Sequence, residues 1–183
     1  MVKSALTSTI DFGRDGKHVG DLCIKWSDNS VPLGYHPVPI ISLRNGDGPV
    51  VVMFAGTHGD EFEGPSALMR LVNDLALEDI TGQVIIVPGL NAPAVRASSR
   101  VSPLDDVNLN RAFPGDPKGS ISAQIAYYVE TVLLPMADAV LDLHSGGKAS
   151  VFAACTLPTR TEDPDLYAKN LELAEMFGLP LIW

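Results

Sequence analysis

Two histidines and one glutamate follow apolar runs that are typical of buried strands. His58 and Glu61, three residues apart, come after the run at 50–55, and His144 ends the run that begins at 137. In open α/β sheets, ligands bind at the carboxyl ends of the strands, so the three side chains could meet at one edge. Two imidazoles and one carboxylate form a ligand set of catalytic zinc sites, which keep a fourth position for water. Ordinary polar loop residues are the alternative, because three residues make a weak pattern.

Three arginines lie in the irregular stretch 89–118 of an acidic sequence, namely Arg96, Arg100 and Arg111. Guanidinium groups bind planar carboxylates and can stabilise a developing oxyanion. The stretch has no clear helical period, so we expect a long ordered loop, and loops of this length in a compact domain are usually functional. We therefore expect Arg100 and Arg111 to contact a ligand, whereas a solvated surface position is the default for Arg96.

The composition excludes several classes of partner. The 183 residues include 13 basic and 22 acidic side chains, which gives a formal net charge of -9. Nucleic acids and anionic membrane surfaces both attract clustered Lys and Arg, so neither is an expected partner. The only cysteines, Cys23 and Cys155, form no paired motif, and no apolar run is long enough for a membrane span. The N-terminus lacks a signal-peptide pattern, so we expect a cytoplasmic protein.

The hydrophobic pattern indicates an α/β fold with a central mixed, largely parallel sheet. Apolar runs predict strands over 49–56, 82–88, 137–144, 150–156 and 179–183, and helical spacing predicts helices over 65–77, 120–134 and 163–177. Prolines near the N-terminus discourage helices, so we expect short edge strands over 21–26 and 38–43. We interpret residues 1–48 as an N-terminal extended segment and residues 49–183 as the α/β domain.

Three motifs stand in order along this sequence: Gly-Thr-His-Gly-Asp-Glu at 56–61, Asn-Leu-Asn-Arg-Ala-Phe at 108–113 and Leu-Asp-Leu-His at 141–144. In order and approximate spacing they resemble the succinylglutamate desuccinylase/aspartoacylase family of the zinc carboxypeptidase clan. Their extended forms look most like the deacetylases of ectoine breakdown that act on N-acetyl-2,4-diaminobutyrate. The resemblance implies a zinc-carboxypeptidase-like three-layer sandwich and hydrolysis of the amide of a small N-acyl amino acid.

The resemblance also implies roles for individual residues. The residues that match the family's ligands of one Zn²⁺ per chain are His58, Glu61 and His144. Arg100 matches the arginine that polarises the scissile carbonyl, and Asn110 and Arg111 match the pair that binds the substrate carboxylate. Asp142 stands two residues before His144, so strand alternation puts both side chains on one face. Asp142 could orient His144 by a hydrogen bond to the imidazole nitrogen that does not bind the metal, and an ordinary buried polar contact is the alternative.

The family's general base, a glutamate well downstream of the third zinc ligand, has no clear match. Glu162, Glu172 and Glu175 follow His144, but the last two fall in a predicted amphipathic helix. Because family members are longer, we expect the α/β domain to be incomplete at its C-terminus and this chain to have little activity alone. Two other functions stay open: a metallocarboxypeptidase on the same scaffold, and a non-catalytic module that binds zinc or a carboxylate. The oligomeric state also stays open, and a homo-oligomer is one alternative.

Overall fold

A computed structural model describes residues 3–27, 32 and 34–183 and contains one six-stranded mixed sheet. The strands are β1 (Thr7–Ser8), β2 (Gly16–Trp26), β3 (Gly34–Asn45), β4 (Val50–Ala55), β5 (Gly82–Val87) and β6 (Ala139–Leu143). Their order across the sheet is β1-β2-β3-β5-β4-β6. Strands β5, β4 and β6 are parallel, whereas the pairs β1–β2, β2–β3 and β3–β5 are antiparallel. The predicted α/β class with a mixed sheet is confirmed, but three of the five strand pairs are antiparallel, so the expectation of a largely parallel sheet is wrong.

The two long strands near the N-terminus correct the prediction of short edge strands over 21–26 and 38–43. β2 and β3 pair along the whole of β2, and β3 lies inside the sheet rather than at its edge. Pro37 and Pro39 are tolerated because β5 pairs with β3 only from Ile41 onward, so the chain around both prolines has a paired strand on one side. β1–β3 belong to the same sheet as β4–β6, and the division at residue 48 stays a prediction.

Four α-helices accompany the strands in the described residues: α1 (Glu63–Asp74), α2 (Ala92–Ala97), α3 (Ile121–Tyr128) and α4 (Pro164–Met176). α3 continues as a π-helical turn over Val129–Leu133, and short 3-10 helices cover Leu77–Asp79, Leu109–Arg111 and Leu134–Met136. The three helices predicted from apolar spacing are confirmed, with ends that differ by a few residues. Among the described residues, no helix combines the length and apolarity that a bilayer span requires.

Two hydrophobic clusters form on opposite faces of the sheet, because successive side chains of a strand point to opposite sides. On one face, Leu68 and Val72 of α1 pack in a cluster with Ile86. On the other face, Ile125 of α3 packs in a cluster with Ile85. Full burial of a side chain such as Leu68 or Ile125 stabilises the fold by about 1.5–3 kcal/mol. The result is the predicted sandwich of helix, sheet and helix.

The stretch 89–118, predicted to be an irregular loop, contains α2. This helix is too short to show a helical period in the sequence, and Asn91 caps it by accepting a hydrogen bond from the Ala94 N–H (3.4 Å). Farther along, the carboxylate of Asp105 attaches the loop to the start of α3. It accepts hydrogen bonds from the N–H and hydroxyl of Ser122 (2.7 and 3.1 Å) and from the N–H of Val107 (3.2 Å).

Residues 149–183, all of them described, form a second compact unit that contains α4. Asp163 caps this helix by accepting hydrogen bonds from the N–H groups of Asp165 and Leu166 (3.0 and 3.2 Å). The predicted strands over 150–156 and 179–183 are wrong, because within this unit only an isolated bridge joins Thr156 to Ile182. An apolar run becomes a strand only where another backbone pairs with it. The glutamates downstream of the third candidate ligand are all exposed: Glu162, Glu172 and Glu175.

Candidate metal centre

The first two candidate ligands lie in the turn that follows β4. Gly56 adopts a φ of 69°, a left-handed conformation that glycine tolerates without strain, and redirects the chain away from the sheet. The side chains of His58 and Glu61 are 3% and 5% exposed, and His58 Nδ1 lies 2.8 Å from Glu61 Oε1. Burial of a carboxylate is costly unless it is paired or binds a metal ion. The turn therefore holds two buried candidate ligands, His58 and Glu61, next to each other.

The third candidate ligand comes from the neighbouring parallel strand. β6 pairs with β4 in a register that places Leu143 opposite Ala55, so His144 leaves the sheet at the same edge as His58. His144 Nδ1 lies 2.9 Å from Glu61 Oε2, and the two imidazole centroids are 5.1 Å apart. The ligand atoms of the three residues all lie within 4.8 Å of one another. We call His58, Glu61 and His144 the ligand cluster.

Two further donors approach the carboxylate of Glu61. Arg100 Nη1 lies 3.3 Å from Oε1, and the backbone N–H of Ser145 donates to Oε2 (3.0 Å). The Arg100 side chain is 57% exposed, so it extends from the buried carboxylate of Glu61 to the solvent. The predicted residues His58 and Arg100 therefore face the same carboxylate oxygen, whereas the backbone contribution of Ser145 has no signal in the sequence.

Backbone packing holds Arg100 beside the ligand cluster. After α2, Ser98 adopts a left-handed φ of 50° and the chain turns toward the cluster. The Gly59 N–H donates to the Ser99 carbonyl (2.9 Å). Gly59 lies so close to α2 that a Cβ atom there would be 2.0 Å from the carbonyl carbon of Ala94. Only glycine permits this approach.

Asp142 contacts His144 on the side away from Glu61. His144 Nε2 lies 2.9 Å from Asp142 Oδ2, and the Thr57 hydroxyl donates to Asp142 Oδ1 (3.1 Å). The hydrogen bond to Asp142 raises the pKa of His144, partial burial opposes the rise, and the charges of Asp142 and Glu61 add to it. Since metal ions bind neutral imidazole, a raised pKa at His144 makes metal binding weaken as the pH falls. The contact agrees with the expectation from strand alternation, whereas Thr57 was missed.

His58 has a comparable outer partner in Asn108, a residue that was not among the predicted site residues. His58 Nε2 lies 3.1 Å from Asn108 Oδ1, and the same oxygen accepts a hydrogen bond from the Asn110 N–H (3.0 Å). Asparagine is favoured at helix N-caps, and Asn108 has that position in the 3-10 helix Leu109–Arg111. This capping preference was the available signal, but it does not reveal the long-range contact to His58.

The remaining arginines and Asn110 lie farther from the ligand cluster. Asn110 and Arg111 are exposed, and Arg111 Nη1 donates to the Asn110 carbonyl (3.0 Å). Among the described residues, no hydrogen bond joins either side chain to the ligand cluster, and their connection to it runs through Asn108. Arg96, expected at the surface, is exposed and lies 3.0 Å from His36 Nδ1 through its Nη2.

A cluster of two imidazoles and one carboxylate that could hold a metal ion lies at the carboxyl edge of parallel strands in this α/β domain. Comparisons with known proteins specify the family. Residues 47–183 match the model of the succinylglutamate desuccinylase/aspartoacylase catalytic domain. The chain is 42% identical over 177 residues to an N-alpha-acetyl-L-2,4-diaminobutyric acid deacetylase from Halomonas elongata, and the alignment covers 97% of this chain and 52% of that protein.

Solved structures agree with this result. A succinylglutamate desuccinylase from Silicibacter sp. TM1040 superposes with a TM-score of 0.95 at 41% identity, over 100% of this chain and 55% of that one. The product-bound ectoine utilization protein EutE (DoeB) from Ruegeria pomeroyi gives 0.95 at 40% identity, over 99% and 56%. The chain belongs to the succinylglutamate desuccinylase/aspartoacylase family. A putative carboxypeptidase A from Shewanella denitrificans OS-217 superposes with a TM-score of 0.54 at 19% identity, over 70% of this chain and 37% of that one, so the predicted zinc-carboxypeptidase-like fold is confirmed. The chain spans about half the length of the family relatives it matches.

Proposed function

We propose that this chain provides the metal centre of a zinc-dependent amide hydrolase that removes the acyl group from an N-acyl amino acid. The observation that carries the proposal is the convergence of His58, Glu61 and His144, whose ligand atoms lie within 4.8 Å of one another. Arg100 lies 3.3 Å from the carboxylate of this cluster. Membership in a family of desuccinylases and aspartoacylases supports the same reaction class.

The donor set fits zinc, which binds histidine nitrogen and glutamate oxygen in catalytic sites. When bound, zinc would act as a Lewis acid that polarises the amide carbonyl and lowers the pKa of water. Asp142 would hold the imidazole of His144 in place, because its carboxylate lies 2.9 Å from Nε2. Nε2 is thereby engaged on the outer side, and Nδ1 is the nitrogen that remains for the metal.

Arg100 would stabilise the negative charge that develops on the amide oxygen of the substrate. One guanidinium nitrogen contacts Glu61, while the side chain as a whole is 57% exposed. The guanidinium can therefore reach a substrate that enters from solvent and still lie next to the ligand cluster. A fixed donor of this kind lowers the activation barrier because its interaction strengthens as charge accumulates.

Asn110 and Arg111 would bind the carboxylate of the substrate's amino acid. Both are exposed at the end of the segment that Asn108 connects to His58. A guanidinium has five N–H donors, and among the described residues Arg111 uses Nη1 alone, to the Asn110 carbonyl. The other donors are available to a planar carboxylate, which Arg binds with two parallel hydrogen bonds.

The favoured substrate is N-acetyl-diaminobutyrate, because the Halomonas elongata deacetylase matches almost the whole chain. Succinylglutamate-like and acetylaspartate-like substrates are alternatives of the same chemical class, in keeping with the family description. A cytoplasmic location and a homo-oligomeric assembly stay predictions, and so does the absence of nucleic-acid and membrane partners.

A substrate panel on zinc-loaded protein tests the proposal. N-acetyl-diaminobutyrate, N-succinylglutamate, N-acetylaspartate and short peptides are incubated separately, and the released acid, amine or amino acid is identified by mass spectrometry. We expect slow release of an acyl group from at least one N-acyl amino acid, in keeping with the small activity expected of this chain alone, and loss of this release in His144→Ala. Arg96→Ala is the matched control, because this arginine is exposed and lies outside the ligand cluster.

The other functions left open by the sequence give different results in the same panel. Release of C-terminal residues from peptides, with no release from N-acyl amino acids, would indicate a metallocarboxypeptidase. Uptake of zinc and of an N-acyl amino acid without turnover of any substrate would indicate a binding module. Either result contradicts the deacylase proposal.

A further inference from the structure

Glu63 places a carboxylate near the ligand cluster. Its Oε2 accepts a hydrogen bond from the Ser145 hydroxyl (2.6 Å), and the backbone N–H of the same serine donates to Glu61 Oε2 (3.0 Å). One serine therefore connects Glu63 to a candidate metal ligand. Because the serine adds only three short covalent bonds to these two contacts, the Oε2 atoms of Glu63 and Glu61 lie at most about 10 Å apart.

The carboxylate of Glu63 differs from its neighbours in having no cationic partner. Glu61 faces Arg100 as well as the two histidines of the ligand cluster, and Asp142 faces His144. Glu63 is exposed at the start of α1, and among the residues that the structure describes it forms no ion pair with a Lys, Arg or His side chain. Its negative charge is therefore available to a ligand that enters from solvent.

The candidate substrates differ in the charge of their amino-acid side chains. N-acetyl-2,4-diaminobutyrate has a free amine at position 4, which is protonated at neutral pH like the amine of lysine. N-acetylaspartate and N-succinylglutamate have a side-chain carboxylate instead. The diaminobutyrate side chain spans about 5 Å from the amide nitrogen to the ammonium, so a substrate whose amide lies at the ligand cluster can reach Glu63. A carboxylate at that place attracts the cationic side chain and repels the acidic ones.

We propose that Glu63 is a specificity-determining residue that binds the side-chain ammonium of a cationic N-acyl amino acid and disfavours acidic ones. The Ser145 hydroxyl holds the carboxylate beside the segment that follows His144. The proposal rests on the proposed function for the position of the amide, and it deepens that function by specifying the charge of the substrate. An acid in the first turn also stabilises the start of α1 through the helix dipole, but that role does not distinguish ligands of different charge.

Calorimetric titration of the zinc-loaded chain with two matched ligands tests the proposal. N-acetyl-2,4-diaminobutyrate and N-acetylnorvaline have side chains of the same length, and the ammonium of the first replaces a methyl group of the second. We expect wild type to bind the cationic ligand about 10-fold more tightly, the contribution of one hydrogen bond between charged groups. Glu63→Gln should lose most of this difference. Glu78→Gln, which changes an exposed acid in the first turn of another helix, is the matched control and should keep it.

Charge reversal gives a second test with an acidic ligand. Glu63→Lys places a positive charge beside the substrate, so this variant should bind N-acetylaspartate more tightly than wild type does and N-acetyl-2,4-diaminobutyrate more weakly. Glu78→Lys is the control for the change in net charge and should bind both ligands as wild type does. A ratio of the two affinities that is the same in wild type, Glu63→Gln and Glu63→Lys would overturn the proposal. If Glu63→Lys fails to fold, the nearly isosteric Glu63→Gln decides.

The titrations and the substrate panel together separate this proposal from the proposed function. Turnover of N-acyl amino acids without a charge preference that depends on Glu63 leaves the deacylase intact and refutes the role of Glu63. A charge preference that depends on Glu63, in a chain that turns over none of the substrates, supports the role of Glu63 in binding and refutes the deacylase. A folded, zinc-loaded wild type that binds neither matched ligand overturns the role of Glu63.

Discussion

Arg100 donates a hydrogen bond to Glu61, with Nη1 3.3 Å from Oε1. The Glu61 side chain is 5% exposed and that of Arg100 is 57% exposed, so the pair runs from the buried interior to the surface. The guanidinium offsets part of the cost of burying the carboxylate and at the same time points a positive charge toward solvent. This geometry favours a role for Arg100 in turnover rather than in holding the metal.

Replacement of Arg100 by alanine should therefore lower kcat and leave zinc content unchanged. We expect a loss of about 100- to 1000-fold in kcat, the usual effect of removing one donor to a developing oxyanion. Steady-state kinetics with the best substrate of the panel, together with metal analysis, measure both quantities. Arg96→Ala serves as the control. A higher KM at unchanged kcat in Arg100→Ala would show that Arg100 binds the ground state instead.

Replacement of Arg111 by alanine should mainly raise KM. A residue that binds the substrate carboxylate acts equally in the ground state and the transition state, so its loss weakens binding and changes kcat little. Arg111→Lys should recover only part of the affinity, because an ammonium group cannot form the two parallel hydrogen bonds of a guanidinium. A drop in kcat for Arg111→Ala with normal KM would reverse the roles proposed for the two arginines.

Replacement of Gly59 by alanine should destabilise the protein and weaken metal binding. The new Cβ would lie 2.0 Å from the carbonyl carbon of Ala94, so either the turn that carries His58 or helix α2 must move. Overpacking of this kind costs about 1–3 kcal/mol or more in the free energy of unfolding. The control is Gly13→Ala, whose Cβ would lie 3.4 Å from the Asp11 carboxylate, an ordinary contact.

Urea unfolding and zinc titration of both glycine variants test this prediction. Gly59→Ala should unfold at lower urea concentration than Gly13→Ala and bind zinc more weakly. If the two variants are equally stable and bind zinc equally well, the close packing of Gly59 on α2 does not hold the turn.

Asp105 should stabilise the protein at neutral pH and lose this effect in acid. Burial raises the pKa of Asp105, but hydrogen bonds from Ser122, Ser120 and Val107 outweigh it, so the pKa is lowered in the folded state. A carboxyl with a lowered folded pKa stabilises the protein above its unfolded pKa of about 3.9, and the contribution disappears as the pH falls through the folded pKa. Asp105→Asn should cost about 1–3 kcal/mol at neutral pH.

The pH dependence is checked by unfolding wild type and Asp105→Asn at several pH values. The difference in free energy of unfolding should be largest at neutral pH and shrink in acid. Asp116→Asn, in an exposed part of the same loop, is the control and should show a smaller difference at every pH. A wild-type advantage that persists unchanged in acid would mean that the charge of Asp105 does not contribute.

The ligand cluster was predictable because its position depends on strand ends. A buried apolar run followed by His58 and Glu61, and a second run that ends at His144, suffice once the two strands are parallel neighbours. Asp142 was predictable because strand alternation is a local rule. These features could be predicted from the sequence because each depends only on one strand and its end.

The outer partners of the two histidines and the structure of residues 149–183 depend on tertiary contacts, so they were harder to predict from the sequence. Asn108 is 50 residues from His58, and no local pattern reveals that their side chains meet. Helix α2 is too short for a period, so its capping residue Asn91 was the remaining signal. The apolar runs at 150–156 and 179–183 satisfied the strand pattern, yet a strand also requires a pairing partner, which hydrophobicity alone does not specify.

We propose that one zinc ion binds at His58, Glu61 and His144, and the amount of metal per chain measures this binding. The chain is purified without chelator, supplied with excess zinc, desalted and analysed for metal per chain, in parallel with His58→Ala, His144→Ala and the control Arg96→Ala. We predict one zinc per chain in wild type and in Arg96→Ala, and strongly reduced zinc in both histidine variants. Near-zero zinc in folded wild type, or unchanged zinc in both histidine variants, would show that these residues do not hold the metal.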